Sequence, residues 1–244
     1  RAQLFSVFDF DRRARVLEVG CGCGAITRFL GEEFDQVTAI EGSERRAEIA
    51  ANRVSDLPSV DILSAPFQDI RFTEPFDLIF CVGVLEYSPS FVGGKNPFSE
   101  IIEKMASFLS PNGTLLIAIE NQFGLKYFSG AREDHTDRQY EGIEGYPHTG
   151  HKVRTFGKES LLQLAKHSFE TVDIFYPFPD YKLPDLLLSE ELFKQFPSFN
   201  FGELVGQFPA QAKYYKDHLN IDPTLAWYQL GQNKLISELA NSFL

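Results

Sequence analysis

The chain has 244 residues, and 34 acidic residues against 23 basic ones give a formal net charge of −11. This length fits one α/β domain with a small appended segment better than two full domains. The acidic balance disfavours a nucleic-acid groove, so we expect no nucleic-acid partner. We also find no apolar run of the roughly 20 residues that a membrane helix needs, and we expect no membrane span.

The cysteines indicate a reducing environment. Their number and spacing predict neither a disulfide framework nor a structural zinc site, and we expect no metal. The chain begins with arginine and shows no charged-then-apolar leader, so no export signal is visible. We therefore expect a cytoplasmic protein.

The first half of the chain alternates short apolar runs with amphipathic segments. The amphipathic segments predict helices at Ala25–Glu33, Glu44–Ser55 and Ser99–Leu109. Such alternation predicts an α/β fold, with a doubly wound, Rossmann-like and mostly parallel sheet. The apolar runs predict five buried strands: Arg15–Val19, Gln36–Ile40, Val60–Leu63, Phe76–Val82 and Thr114–Ile119.

The second half is less regular. Residues 121–156 are polar, aromatic and glycine-bearing, and so long an irregular stretch is typical of a functional insertion or lid after strand five. A helix at Lys158–His167 and strands at Glu170–Tyr176 and Tyr181–Ser189 follow, and Thr224–Leu244 is predicted to be helical. We therefore divide the chain into a domain at 1–189 and a helical C-terminal extension at 190–244.

A glycine-rich turn joins the first strand to the first helix. The residues from 18 to 25 read EVGCGCGA, and glycines here let the backbone turn sharply and let a ligand approach the main chain. The helix that follows adds the positive end of its dipole. Gly20-x-Gly22-x-x-Ala25 also satisfies the dinucleotide fingerprint, so the turn alone is compatible with NAD.

Two acidic residues narrow this choice. Glu41 closes the second strand, where a carboxylate can accept hydrogen bonds from both hydroxyls of a ribose, as in any adenosine ligand. Glu18 lies two residues before the turn, where its charge would repel a pyrophosphate and would suit a cationic group. The charges therefore favour S-adenosylmethionine over NAD.

Four segments in order resemble the successive motifs of class I SAM-dependent methyltransferases: VLEVGCGCGAITRFL, VTAIEGS, FDLIFCVGVLEYS and LSPNGTLLIAIEN. The resemblance covers about residues 10–125. It implies a seven-stranded sheet of order 3-2-1-4-5-7-6 with strand seven antiparallel. It also implies S-adenosyl-L-methionine as cofactor and methyl transfer as activity.

The resemblance assigns the cofactor contacts residue by residue. The turn would lie beside the methionine part, Glu18 would reach its amino group, and Glu41 would hold the ribose. Pro66 stands where the family often has an acid near the adenine, so Phe67 and Gln68 are the substitutes. The full predicted set is Glu18, Gly20, Cys21, Gly22, Gly24, Glu41, Gly42, Ser43, Phe67, Gln68, Cys81, Gly83 and Val84. Cys21 and Cys23 are also explained as small fillers of a crowded turn.

The second half also resembles a bacterial subgroup of these methyltransferases that is often joined to glycosyltransferases or placed with surface-polysaccharide synthesis. The residues concerned are 120–156 and 176–191. This resemblance implies a sugar or glycan acceptor, O-methylation, and a glycosyltransferase that is fused or adjacent.

The irregular stretch offers acceptor-side groups. A sugar hydroxyl has a high pKa, and His135 beside Glu133 and Asp134 is the best candidate to take its proton. Glu120 lies at the end of strand five, where ligands bind in open α/β sheets. Lys126, Arg132 and Arg154 could contact an anionic group, and tyrosines could stack on sugar faces. The predicted catalytic residues are His135 and Glu120, and the predicted substrate-binding residues are Asn121, Tyr127, Arg132 and Tyr146.

Each of these assignments has a structural alternative. His135 could cap a turn, the charged residues could be ordinary solvated groups, and the aromatic residues could anchor the insertion. Three rival functions are weighed against sugar O-methylation. An NAD-linked oxidoreductase is opposed by the charge of Glu18, and RNA methylation is opposed by the net charge and the lack of a basic tract. The third is a non-catalytic SAM-binding module of a larger glycan-assembly protein.

Overall fold

The computed structural model describes residues 2–150, 152–208 and 220–244. The chain forms two compact units, Arg1–Ile117 and Ala118–Leu244. The boundary predicted at residue 189 follows changes in composition, whereas these units follow the packing of the chain, and that boundary stays a prediction.

The first unit is built on parallel strands. The four strands that lie wholly within it pair in the order β3-β2-β1-β4, and every pairing is parallel. A fifth strand begins in this unit and continues into the second. The strands are β1 (Arg15–Val19), β2 (Gln36–Glu41), β3 (Val60–Ser64), β4 (Phe76–Val82) and β5 (Leu109–Glu120).

Helices connect these strands, as the alternating pattern predicts. The central strand β1 is apolar and almost wholly buried from Val16 to Val19, which is expected of a parallel strand covered on both faces. Aromatic rings extend this core, since Phe5 lies edge-on to Phe80 at 4.9 Å between ring centroids. The helices are α1 (Ala25–Glu33), α2 (Glu44–Arg53), α3 (Ser88–Phe91) and α4 (Pro97–Ser107).

The second unit contains short helices and short antiparallel strands. Strands β6 and β7 form a two-stranded sheet of their own. The elements are α5 (Leu125–Phe128), α6 (Lys158–Lys166), β6 (Phe175–Phe178), β7 (Leu186–Ser189), α7 (Glu190–Gln195), α8 (Phe201–Val205), α9 (Pro223–Gln232), α10 (Ile236–Leu239) and β8 (Ser242–Phe243).

The prediction of a seven-stranded sheet is wrong for the part of the chain that the structure describes. The main sheet has six strands in the order β3-β2-β1-β4-β5-β8. The two strands predicted near residues 170–189 exist in shortened form as β6 and β7, but they pair with each other. Pro177 and Pro179 give one reason, because a proline offers no N–H to a sheet ladder.

The prediction of an unbroken helix at Thr224–Leu244 is also wrong. Helix α9 ends at Gln232, and the chain finishes as β8, which is antiparallel to the end of β5. Asn121 holds this return in place, because its side-chain amide donates to the carbonyls of Glu238 at 2.9 Å and Ala240 at 2.7 Å. Its amide oxygen accepts the N–H of Phe123 at 2.9 Å.

We expect Asn121→Ala to lower the free energy of unfolding of the second unit by about 2–4 kcal/mol, because two buried carbonyls and one N–H lose their partner. Fluorescence of Trp227, the single tryptophan, reports this unit during urea titration. The exposed Asn233 donates a comparable bond to the carbonyl of Gln229, so Asn233→Ala is the control, with a change within roughly 0.5 kcal/mol. Equal effects of the two substitutions would contradict this role of Asn121.

Candidate functional site

The glycine turn follows β1 directly and has the conformation that its sequence predicts. Gly20, Gly22 and Gly24 have φ angles of 75°, 57° and 79°, in the left-handed region that glycine enters without strain. The N–H groups of Gly20 and Cys21 both donate to the carbonyl of Ile40 at 2.9 Å. The turn is therefore fixed to the end of β2.

The three glycines have different surroundings. A Cβ at Gly20 would lie 2.5 Å from a methyl group of Val84, and one at Gly24 would lie 2.9 Å from the Cα of Ala50. At Gly22 a Cβ would meet no described atom within 4 Å. Packing thus requires glycine at the first and third positions, whereas Gly22 faces open space, as a ligand-binding backbone would.

Glu41 ties this turn to the start of α2. One carboxylate oxygen accepts the N–H of Gly22 at 2.9 Å, and the other accepts the N–H of Ser43 at 2.9 Å. The guanidinium of Arg46 lies 2.8 Å from the second oxygen. Gly42 is exposed, and a Cβ there would also meet no described atom within 4 Å. The carboxylate predicted to hold a ribose is therefore buried, anchored and next to open space.

Glu18 is buried too, and it accepts a hydrogen bond from the hydroxyl of Thr27 at 2.6 Å. It is not a solvated acid at a strand end. Burial, together with the charges of Glu18 and Glu41, raises the pKa of the Cys21 thiol to about 12. Cys21 packs in a buried cluster with Ala39 and Ala50, which agrees with its interpretation as a small filler.

The strand register explains why these groups lie together. Val19 is aligned with Ile40 on β2 and with Cys81 on β4, so the carboxyl ends of three strands coincide. Gly83, with φ 67°, and Val84 continue β4 past that edge. Sites at this edge are the rule in open α/β sheets.

The predicted adenine-side residues lie after β3. The Phe67 ring is buried edge-on to Phe108 at 6.0 Å, and the Lys104 ammonium lies 5.1 Å from its centroid. Gln68 is exposed, and its backbone carbonyl accepts bonds from Lys104 at 2.6 Å and Arg71 at 2.9 Å. Phe67 thus forms part of the wall, while the Gln68 side chain points to solvent.

In the second unit, Glu133 holds His135. A carboxylate oxygen of Glu133 lies 2.7 Å from Nδ1 of His135, and the other accepts the backbone N–H groups of His135 at 2.9 Å and Thr136 at 2.8 Å. Burial alone would raise the pKa of Glu133, but the bonds and charge interaction with His135 outweigh it and lower the pKa. An ionised Glu133 accepts Nδ1–H and leaves Nε2 as the basic nitrogen.

Glu120 lies at the end of β5, close to the same imidazole. One carboxylate oxygen is 2.5 Å from the Lys182 ammonium and accepts the Tyr181 hydroxyl at 3.2 Å. The other oxygen is buried, has no hydrogen-bond partner among the described residues, and lies 4.0 Å from Nε2 of His135. The two predicted catalytic residues are therefore neighbours.

A partly buried ionic network surrounds this pair, with Lys126 and Asp180 buried and Asp134 nearer the surface. Lys126 binds Asp134 at 2.7 Å and Asp180 at 3.3 Å, and Lys182 binds Asp134 at 2.9 Å. Burial opposes ionisation of Asp134, but the charges of the two lysines outweigh it and lower its pKa. Lys126 is thus neutralised by two carboxylates, which argues against its predicted contact with an anionic ligand.

The predicted substrate-binding residues separate into buried and exposed ones. Tyr127 and Tyr146 are buried, with hydroxyls that donate to Asp134 at 2.6 Å and Glu133 at 3.4 Å, so neither ring presents a face for stacking. Asn121 uses its amide within the fold. Arg132 is exposed and donates to the carbonyl of Asp137 at 3.0 Å.

Sequence reasoning missed Lys182, Asp180 and Tyr181 as members of the network. Their partners are distant in the sequence, and no motif links them. It also gave His148 no partner, although Nδ1 of His148 lies 2.8 Å from Glu141. His151 lies outside the described residues.

Comparison with known proteins supports a methyltransferase. Residues 17–115 match the family model described as a methyltransferase domain, which includes the glycine turn and Glu41. The chain is 34% identical over 114 residues to the ubiquinone biosynthesis O-methyltransferase of Xanthomonas campestris pv. campestris, covering 45% of this chain and 44% of that protein. The family model and such relatives support S-adenosylmethionine as the cofactor.

A second relative and one solved structure extend the comparison. The dTDP-4-amino-2,3,4,6-tetradeoxy-D-glucose N,N-dimethyltransferase of Saccharopolyspora spinosa is 29% identical over 126 residues, which is 50% of this chain and 48% of that protein. The N-methyltransferase NodS of Bradyrhizobium japonicum WM9 shares the fold, with a TM-score of 0.51, 19% identity, and coverage of 72% of this chain and 83% of that one. The chain spans less than half the length of the two curated relatives.

Within the residues that the structure describes, no helix combines the length and apolar character needed to cross a membrane.

The thiols provide a test of the turn. Cys21 and Cys81 are buried and Cys23 is exposed, and burial raises the pKa of both buried thiols. A raised pKa keeps a thiol protonated and unreactive at pH 8. We expect a chromogenic disulfide reagent to modify one thiol per chain in the native protein and three in denaturant. Rapid native modification of a second thiol would show that the turn is packed differently.

Proposed function

We propose that this chain is an S-adenosylmethionine-dependent methyltransferase acting on a small-molecule or glycan acceptor, with a sugar hydroxyl as the group methylated. The observation that carries the cofactor assignment is the anchored carboxylate of Glu41 beside Gly22. The backbone of Gly22 has no side chain and borders open space there. The methyltransferase-domain match over the same residues supports it.

The charges of the turn suit this cofactor. When bound, S-adenosylmethionine supplies a methyl group on a positively charged sulfur. The carboxylates of Glu18 and Glu41 are both buried, and a buried negative charge attracts a cation more strongly than an exposed one does. Glu41 would accept hydrogen bonds from the ribose hydroxyls, and Glu18 would attract the amino group directly or through water. The charge of Glu18 opposes the pyrophosphate of NAD.

On the acceptor side, His135 is proposed as the general base. Glu133 fixes the ring through Nδ1, and Nε2 would then take the proton of the acceptor hydroxyl. Glu120, held by Lys182, places negative charge 4.0 Å from that nitrogen and stabilises the imidazolium that forms. The residues thus perform proton removal, and the remaining acceleration comes from positioning.

The network also bears on the acceptor. Among the residues that the structure describes, the two lysines Lys126 and Lys182 lie against four carboxylates, those of Glu120, Glu133, Asp134 and Asp180. This excess of negative charge favours a neutral acceptor over a phosphate or a uronate. The relative from Saccharopolyspora spinosa is named for an amino sugar, which supports a sugar-sized acceptor. A cytoplasmic location and a fused or adjacent glycosyltransferase remain part of this proposal.

The ribose assignment is tested by Glu41→Ala. We expect S-adenosylhomocysteine to bind more weakly by about 1–3 kcal/mol in calorimetry, because a charged hydrogen-bond acceptor is lost. Glu44→Ala removes the same charge from an exposed position on α2 and should leave the affinity unchanged. Unchanged affinity in Glu41→Ala would mean that the ribose lies elsewhere. Tight NADH binding without S-adenosylhomocysteine binding would favour the oxidoreductase.

The base assignment is tested with methyl-labelled cofactor and a panel of nucleotide sugars and oligosaccharides. With an acceptor so identified, we expect His135→Ala to lower kcat by roughly 10²–10⁴-fold with unchanged cofactor affinity. Glu133→Gln should lower kcat less and change its pH dependence. The imidazole ring keeps a hydrogen-bond partner at position 133, but that partner no longer carries a negative charge. His148→Ala is the control, since His148 is paired with Glu141 in the same way. Full activity of His135→Ala would exclude the base role.

A further inference from the structure

The second unit contains an aromatic cavity that the proposed reaction does not use. The cavity has a volume of about 210 Å³. Its walls come from Phe193 on α7, the segment after α7, and Phe201 on α8, and residues just beyond α9 and on α10 close it. Four phenylalanines therefore line the cavity together with the polar side chains of Glu190, Lys234 and Ser237, and small-molecule sites combine aromatic walls with a few convergent polar groups in this way.

The aromatic walls are ordered by their own packing. Phe201 is buried and lies edge-on to Phe193 at 4.9 Å and to Phe199 at 4.8 Å. At the mouth, Phe196 and Phe199 are each 53% exposed. Adjacent exposed aromatic side chains around a concave surface are typical of a binding site rather than of an ordinary solvated surface.

The backbone behind the cavity is also rigid. Helices α8 and α9 approach so closely that a Cβ at Gly202 would collide with the carbonyl of Trp227, and a Cβ at Gly231 would collide with the side chain of Asn200. Asn200 in turn accepts the N–H of Gly202 at 3.0 Å. The cavity is therefore bounded by two helices held backbone to backbone, and it does not depend on mobile side chains alone.

Lys234 lines the cavity from a strained position. It has a φ of 58° and follows α9 in the left-handed conformation that usually ends a helix with glycine. Two hydrogen bonds cap the helix. The N–H of Lys234 donates to the carbonyl of Gly231 at 3.2 Å, and the N–H of Leu235 donates to the carbonyl of Leu230 at 2.9 Å. Lysine is strained in this conformation, whereas glycine is not. Strain of this kind is often found at ligand sites.

The polar groups of the cavity balance in charge. Glu190 accepts the hydroxyl of Tyr176 and lies 3.4 Å from the ammonium of Lys158, which also lies 2.8 Å from Glu238. Of the residues that line the cavity, Glu190 supplies one carboxylate and Lys234 supplies one ammonium group. The hydroxyl of Ser237 adds a group that can donate or accept. A neutral ligand with several hydroxyls suits this set better than an ion does.

We propose that this cavity binds a single neutral pyranose ring. A cavity of about 150 Å³ holds benzene, so the volume here fits one substituted six-membered ring. The C–H face of a pyranose packs on the phenylalanine rings, while its hydroxyls donate to Glu190 and accept from Lys234 and Ser237. A plain aromatic ligand would pack on the phenylalanine rings but would make no hydrogen bond to those groups. This binding does not rest on the proposed methyl transfer.

The test is saturation-transfer NMR of the full chain with methyl pyranosides of glucose, galactose, mannose and rhamnose. We expect at least one to bind with a roughly millimolar Kd, with the strongest signals on ring C–H protons. Benzyl alcohol serves as the aromatic comparison and should bind more weakly. Binding of benzyl alcohol but of no pyranoside would overturn the carbohydrate assignment, and binding of neither would overturn the site.

Variants locate the binding. Phe196→Ala removes an exposed ring, so the fold should persist while pyranoside affinity falls roughly fivefold. Lys234→Gly relieves backbone strain, so Tm should hold or rise while affinity falls roughly threefold. Leu225→Ala, an apolar truncation at a more exposed position on α9 outside the cavity, should change neither. Wild-type affinity in both Phe196→Ala and Lys234→Gly would show that the sugar binds elsewhere.

Discussion

The first unit depends on one carboxylate that spans two backbone segments. Glu41 accepts N–H groups from the β1 turn at Gly22 and from the start of α2 at Ser43. Both bonds require that β1 and β2 end at the same level, which the alignment of Val19 with Ile40 provides. A shift of one residue in this register would move Glu41 to the other face of the sheet and dissolve the site. The register between β1 and β2 therefore also fixes the geometry of the proposed ligand site.

The second unit reaches order by different means. Much of its first part lacks regular secondary structure, so side chains satisfy backbone groups there. Glu133 accepts two successive N–H groups, and Asn121 donates to two carbonyls near the C-terminus. Buried backbone groups need partners whether or not a helix or a ladder supplies them. Acidic and amide side chains in this stretch are thus structural before they are chemical.

How well the sequence predicts an interaction depends on how far apart in the chain the two interacting residues lie. The first four strands and the glycine turn are encoded in contiguous apolar runs and glycines, so their prediction was close. Strand β8 has only two residues and no periodicity, and it pairs with β5 from the far end of the chain. Glu133 could be found as a neighbour of His135, whereas Lys182 and Tyr181 meet Glu120 only through the tertiary fold. Local sequence patterns cannot predict contacts between residues so far apart in the chain.

The excess of acid in the second unit is best understood through the protonated histidine. Four carboxylates with two lysines form a costly arrangement if every group keeps its resting charge. In the proposed reaction His135 gains a proton, and the new cation lies 2.7 Å from one carboxylate of this set and 4.0 Å from another. The carboxylates that compensate this new positive charge are already in place in the folded chain. Solvent therefore need not reorganise to stabilise the imidazolium when the proton moves. The excess of negative charge in the resting network is therefore what a general base in this position requires.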